Sequence, residues 1–332
     1  MNDELILGID GGGSKILVAL ADRSAAIRRT TLGGGVNPMD NAGWLVELET
    51  HIAPFRHERN LASVAAALPA YGEVAHLSRL QEAAIEKVFP NARATILNDV
   101  DAAHLGAFAG QAGILILSGT GSMAWARNAA GRPARSGGWG DVIGDEGSSY
   151  WIGRLALNLV SQSLDGRAPP TALANLIFQH LGLDLADPIN ALGGWVSALT
   201  RPRAGIAALS ALVDRAAQAG DQAAAALLER AADELAKLHD AIAGHCEAGT
   251  DWTYAGGTFS SALLLDALER RIGSPAEAPR LPPIGGALLA AARNLGWPLD
   301  DGWLGHAAAS ARAAIAHPIK LSLNNNEGWE HA

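Results

Sequence analysis

Cysteine is almost missing from this chain: Cys246 is the only one in 332 residues. A single thiol builds no disulfide framework, zinc knuckle or iron–sulfur cluster within one chain, and it fits a reducing compartment. Aromatic residues are scarce at 5% and charged residues make up only 18%. The hydrophobic fraction of 49% therefore rests on Ala, Leu, Ile and Val, which suits close helix-on-sheet packing in an α/β protein. Positive charge is also short, with 25 Lys and Arg against 34 Asp and Glu and a net charge of −9. That balance argues against a nucleic-acid surface, which needs clustered cations. It leaves room for a nucleotide, whose phosphates can be held by backbone N–H groups. No apolar run approaches the ~18–20 residues of a membrane span. No basic region or cleavage-site pattern opens the chain. A cytoplasmic protein is expected, with neither membrane nor nucleic acid as partner.

The length predicts two domains if each takes roughly 150 residues. Apolar runs at 5–10, 16–21, 26–32, 63–68, 94–97, 113–117, 123–127 and 251–255 read as strands. Helical spacing appears at 41–55, 74–88, 102–109, 260–271, 285–295 and 303–316, and an alanine-rich helical stretch runs from 148 to 246. The order strand, glycine turn, strand occurs at 5–21 and again at 114–127, which predicts two related domains. Their expected bounds are 1–117 and 118–302, with the last helix packing back on the first domain. The polar tail 324–332 is expected to fray.

The first glycine turn reads Gly8-Ile9-Asp10-Gly11-Gly12-Gly13-Ser14-Lys15. Strand alternation puts Ile6, Gly8 and Asp10 on one face, so Asp10 leaves the strand end pointing beyond it. Three glycines permit positive φ and let backbone N–H groups reach a phosphate, while Ser14 and Lys15 add a hydroxyl and a cation. The spacing fits neither a Walker loop nor a dinucleotide fingerprint, and the turn leads into a strand rather than a helix. The second turn, Ser118-Gly119-Thr120-Gly121-Ser122, repeats this arrangement in the second half. Tyr254-Ala255-Gly256-Gly257-Thr258 adds a strand that ends in a glycine pair.

These three elements resemble the phosphate-1, phosphate-2 and adenosine motifs of the sugar kinase/heat-shock/actin superfamily. The block Gly137-Gly138-Trp139-Gly140-Asp141-Val142-Ile143-Gly144-Asp145-Glu146-Gly147, with Asn37 and Asn98-Asp99, is similar to the N-acetylglucosamine kinases and the benzoyl-CoA reductase-type ATPases grouped with them. The resemblance implies a two-domain actin/hexokinase-like (ribonuclease H-like) α/β fold closing around an ATP cleft. It also implies a homodimer, with ATP and Mg²⁺ as cofactors and the 6-hydroxyl of an amino sugar as acceptor. N-acetyl-D-glucosamine is the expected sugar, and D-glucosamine the alternative because Glu73 could meet an ammonium. By the same resemblance Asp99 is the general base and Asp10 orients Mg²⁺ through water. Gly11, Gly12, Gly13, Ser14, Lys15, Gly119, Thr120, Gly121, Ser122, Gly256 and Gly257 would bind ATP. Asn37, Asp99, Gly138 and Asp145 would bind the sugar.

Three side issues stay open in the sequence. Trp139 reads equally as a ring platform and as core filler. Asp101 rivals Asp99 as the base, but also fits the N-cap of a helix over 102–109. An electron-transfer activator would need a cysteine pair, and a sugar-sensing regulator a DNA-binding module ahead of residue 5; neither is expected here.

Overall fold

The computed structural model describes residues 4–317, so the tail at 324–332 and residues 1–3 lie outside the described residues. The chain opens with β1 (Leu5–Gly11), β2 (Lys15–Ala21), β3 (Ile27–Gly34), α1 (Trp44–Ile52), β4 (Leu61–Leu68), α2 (Ala75–Val88), β5 (Arg93–Asn98) and α3 (Asp99–Ala107). Strands β6 (Gly113–Ser118), β7 (Ser122–Arg127) and β8 (Pro133–Gly137) follow. A helical stretch comes next, with α4 (Ser149–Leu164), α5 (Ala172–Leu181), α6 (Pro188–Ala198), α7 (Pro202–Ala207), α8 (Ser210–Gln218) and α9 (Gln222–Ala243). The chain then forms β9 (Trp252–Ala255), α10 (Ala262–Ile272), α11 (Pro283–Asn294) and α12 (Asp301–Ala316).

Two compact units result, Met1–Ala109 with Arg280–Ala332, and Gly110–Pro279. The expected break at 117/118 would have cut β6 away from β7, with which it pairs from Gly113↔Arg127 to Ser118↔Ser122. Helix α11 was expected in the second domain but belongs to the first unit. A Cβ on Gly286 would stand 2.0 Å from the Ala102 carbonyl oxygen, so glycine there lets α11 lie directly on α3. Helix α12 belongs to the first unit too.

In the first unit the sheet order is β3-β2-β1-β4-β5. The first three strands form an antiparallel meander, and β4 and β5 add in parallel beside β1. Leu7, Ile9, Ile16 and Val18 on one face meet Leu48 and Ile52 of α1 and Ile85 of α2. Ile6, Leu17 and Ala19 on the other face meet Ile284 and Leu288 of α11 and Leu304 of α12. Both faces are covered, which is why β1 reads as an unbroken apolar run; burying each such side chain contributes about 1.5–3 kcal/mol.

The second unit repeats the plan with one strand fewer, in the order β8-β7-β6-β9: again an antiparallel meander with a parallel strand beside its first member. Strand β8 went unseen in the sequence because it starts on a proline and carries Arg135 and Ser136, as edge strands often do. Its core joins Ile114, Ile116, Ala124 and Trp252 to Ile152, Leu227, Leu235 and Leu264 from the helices.

Candidate active site

Each unit carries its own set of candidate side chains. In the first, β1 and β2 deliver Asp10 and Lys15 to the two sides of the turn Gly12-Gly13-Ser14, where the Gly12 N–H donates to the Lys15 carbonyl at 2.8 Å. Gly11, Gly12 and Gly13 were expected to supply positive φ, but none of them is left-handed. Gly11 supplies close approach instead, since a Cβ there would come within 2.6 Å of Val36 Cγ2, whereas one on Gly12 or Gly13 would meet nothing nearer than 3.7 or 3.6 Å. Ser14 and Lys15 are exposed, and Asp10 is half-buried. Burial pushes the Asp10 carboxyl up to about 6, against the pull of Lys15.

Asp99 opens α3 at the end of β5, where the first residues of a helix meet the C-terminal edge of a parallel strand. Burial pushes its carboxyl up to about 7, and the charges of Asp10 and then Glu73 add to the rise. The Val100 N–H, donating to Asp99 at 3.0 Å, opposes it. Asp101 is not the cap of this helix. The helix starts three residues earlier than expected and Asn98 caps it, its side chain accepting from the Val100 N–H at 3.1 Å. Asn37 turns inward on its own loop, donating from Nδ2 to Asp40 at 2.7 Å and accepting from the Met39 N–H at 3.0 Å.

In the second unit the turn Gly119-Thr120-Gly121 joins β6 to β7. The block that follows β8 folds onto it. Gly138 donates its N–H to the Ser122 carbonyl at 3.0 Å, and Ser122 Oγ donates to the Glu146 carbonyl at 2.6 Å. Asp145 is 3% exposed and left-handed at φ +58°; it accepts from the Ser122 N–H at 3.3 Å and from Arg203. Burial pushes its carboxyl up while Arg203 and that N–H pull it down. The glycine pair also belongs to this cluster. Gly256 has φ +107°, and a Cβ there would stand 2.1 Å from the Ser118 carbonyl oxygen, whereas Gly257 faces open space. The Ser149 N–H donates to the Gly119 carbonyl at 2.8 Å, and the Ser149 and Thr258 hydroxyls lie 2.6 Å apart.

Trp139 is not core filler: it is 68% exposed, with the Arg135 guanidinium 5.9 Å from its ring centre. Arg203, Ser149 and Thr258 were missed in the sequence. Ser148 caps α4, its side chain accepting from the Trp151 N–H at 3.1 Å, which leaves Ser149 as the first helical residue with no signal of its own. Arg203 sits in Arg201-Pro202-Arg203-Ala204-Gly205, inside the stretch read as helical, where no motif singles it out. Among the described residues no group of three or more His, Cys, Asp or Glu is close enough to hold a metal ion alone. No helix among them is long and apolar enough to cross a membrane.

Two mixed sheets, each opening on a hairpin with a small-residue turn, define the actin/hexokinase-like α/β class. A glucokinase from Streptomyces griseus, solved with glucose and AMPPNP, shares that fold at TM-score 0.52 and 17% identity over 86% of this chain and 98% of its own. The family model described as the BadF/BadG/BcrA/BcrD ATPase family matches residues 7–291, and the chain belongs to that family. It is 40% identical over 141 residues to an N-acetylmuramic acid/N-acetylglucosamine kinase of Clostridium acetobutylicum, covering 42% of this chain and 45% of that one. It is 31% identical over 166 residues to an N-acetyl-D-glucosamine kinase of Dictyostelium discoideum, covering 48% and 51%. The matches thus span about half the length of these relatives. A Chromobacterium violaceum structure, provisionally named an N-acetylglucosamine kinase, is similar at TM-score 0.71 and 26% identity over 87% of this chain and 99% of its own.

Proposed function

We propose that this chain is an ATP-dependent kinase that phosphorylates the 6-hydroxyl of an amino sugar, with N-acetyl-D-glucosamine as the substrate. The observation that carries the reading is Asp99, a carboxyl pushed to about 7 at the start of a helix and the end of a parallel strand. A base with that affinity for protons is matched to a neutral working pH. The names of the relatives above support the choice of sugar. Asp99 takes the proton from the attacking hydroxyl, while Asn37, Gly138 and Asp145 bind sugar hydroxyls. Lys15 and the turn residues Gly11, Gly12, Gly13, Gly119, Thr120 and Gly121 hold the phosphates, with the hydroxyls of Ser14 and Ser122 beside them. Gly256 and Gly257 lie against the adenosine. Positioning and charge neutralisation are the main demands of phosphoryl transfer.

Mg²⁺ fits the first unit. Burial raises the carboxyls of both Asp10 and Asp99, and the Asp10 charge adds to the rise at Asp99, so a divalent cation would relieve the cost of ionising them. Asp10 would hold it through water, and the ion would supply charge neutralisation on the phosphates. A cytoplasmic homodimer completes the proposal, to be checked by light scattering against the 34.3 kDa chain mass.

D-glucosamine is the second reading. The Glu73 charge is felt at Asp99, so an ammonium on the sugar would find an anion close to the base. ADP release measured with glucose, D-glucosamine, N-acetyl-D-glucosamine, N-acetylmannosamine and N-acetylmuramic acid tests both. The highest kcat/KM is expected with N-acetyl-D-glucosamine, and a preference for D-glucosamine would favour the second reading. ADP release that no sugar accelerates would overturn the kinase assignment.

A further inference from the structure

The first hairpin brings its own cation, Lys15, as the first residue of β2. The corresponding first residue of β7 is Ser122, so the second hairpin has a hydroxyl in that place. Backbone N–H groups hold a phosphoryl oxygen more strongly when a full positive charge stands beside them. The second unit delivers such a charge from far along the chain. Arg203, on α7, reaches the turn: a Cβ on Gly121 would lie 2.8 Å from Arg203 Nη2 and 2.9 Å from the Asp145 carboxylate. The guanidinium donates to Asp145, which accepts from the Ser122 N–H, and its Nε lies 3.9 Å from Asp141.

The approach is built in by backbone. Glycine at 153 lets α7 lie against α4, since a Cβ there would be 2.0 Å from the Ile206 carbonyl oxygen. As stabilising glue this ion pair is poor value, because desolvating two charges offsets most of their attraction. The Arg203 side chain keeps 20% of its surface exposed, and a guanidinium presents its five N–H donors in a fixed fork suited to phosphate.

We infer that Arg203 is the phosphate-binding cation of the second hairpin, held at the Gly121 edge of the turn by Asp145 and donating its outward N–H groups to the terminal phosphates of a nucleoside di- or triphosphate. This rests on the nucleotide-binding part of the reading above, and it is independent of which sugar is used. Asp145 is then a positioning residue for Arg203 as well as a candidate sugar ligand.

Calorimetric titration with ADP and with AMP tests the inference without any sugar. Arg203→Gln should weaken ADP binding by about tenfold to a hundredfold, the usual loss for a hydrogen bond to a charged group, and leave AMP binding within about twofold. Arg203→Lys should restore part of the ADP affinity. Because Arg203→Gln leaves Asp145 buried without its cation, the same pair of titrations is run on Arg203→Gln in an Asp145→Asn background. There the ADP-specific loss should persist against Asp145→Asn alone. Equal ADP affinity in the wild type and the glutamine variants overturns the role of Arg203 while leaving the nucleotide reading intact. An equal loss for ADP and AMP makes Arg203 merely structural and overturns it too. A wild-type protein that binds no ADP overturns both.

Discussion

The two hairpins share one backbone plan and differ in how they manage charge. Each joins an antiparallel pair through a short small-residue turn, and each first strand takes a parallel neighbour on its other side. In the first unit the acids dominate: burial raises both Asp10 and Asp99, the Asp10 charge adds to the rise at Asp99, and Lys15 offsets only part of the burial cost at Asp10. In the second unit the buried acid, Asp145, is matched by Arg203. The difference teaches that a repeated fold need not repeat its chemistry. Proton transfer suits the side where an acid is left near neutrality, and passive phosphate binding the side where charge is balanced.

Asp99→Asn should disturb this comparison most. Turnover is expected to fall by about 10²–10⁴-fold, the range for a positioned proton acceptor, with nucleotide binding retained. Asp101→Asn, in the first turn of the same helix, should cost about 0.3–1 kcal/mol of stability and little turnover. Steady-state kinetics and thermal melts on both variants separate them; an active Asp99→Asn beside a folded but dead Asp101→Asn would move the base two residues along.

Lys15→Ala should come next, raising the apparent KM for ATP by about tenfold to a hundredfold and the sugar KM much less. Unchanged ATP kinetics with lost sugar affinity would remove the first hairpin from phosphate binding. Within the second unit, Gly256→Ala should cost about 1–3 kcal/mol, because φ +107° and the Ser118 carbonyl both resist a Cβ. Gly257→Ala should be nearly neutral, since its Cβ would face open space. Equal urea midpoints for the two alanine variants would show that the motif acts as an undivided pair.

The smallest effect concerns stability without ligands. Acids whose folded values lie above the unfolded one favour folding when protonated, so their contribution falls as pH rises from about 4 to about 7 and is flat beyond. The ligand-free protein should therefore melt higher near pH 5 than near pH 8 on their account. Asp99→Asn, though catalytically crippled, should gain about 1–2 kcal/mol at pH 8. A melting temperature at pH 8 that drops in both Asp10→Asn and Asp99→Asn would show that these acids are stabilised, not strained.

Much of this was legible in the sequence because strands and turns are local. The run Leu5–Asp10 announced an apolar strand, and the glycine turns announced both hairpins. What escaped depended on contacts distant in sequence or on fine choices between neighbours. Asn98 and Asp101 are both good caps, and only the backbone shows that the helix starts at Asp99. Helix α11 looked like part of the second domain until Gly286 met Ala102. Arg203 could not be tied to Gly121 by spacing, since the path between them runs through three helices.

The return of α11 and α12 to the first sheet has a consequence for synthesis. Residues 110–279 form an insertion: the chain leaves the first unit at Ala109 and rejoins it where the Arg280 N–H donates to the Ala107 carbonyl at 2.9 Å. On a ribosome the inserted unit has all of its own core residues before the host does. The early strands must wait, with Ile6, Leu17 and Ala19 uncovered, until Ile284, Leu288 and Leu304 have emerged. Domains translated as one piece fold as they appear. Here the unit that carries the candidate base is the last to close, so a truncated or stalled chain yields a finished second hairpin attached to an open apolar sheet.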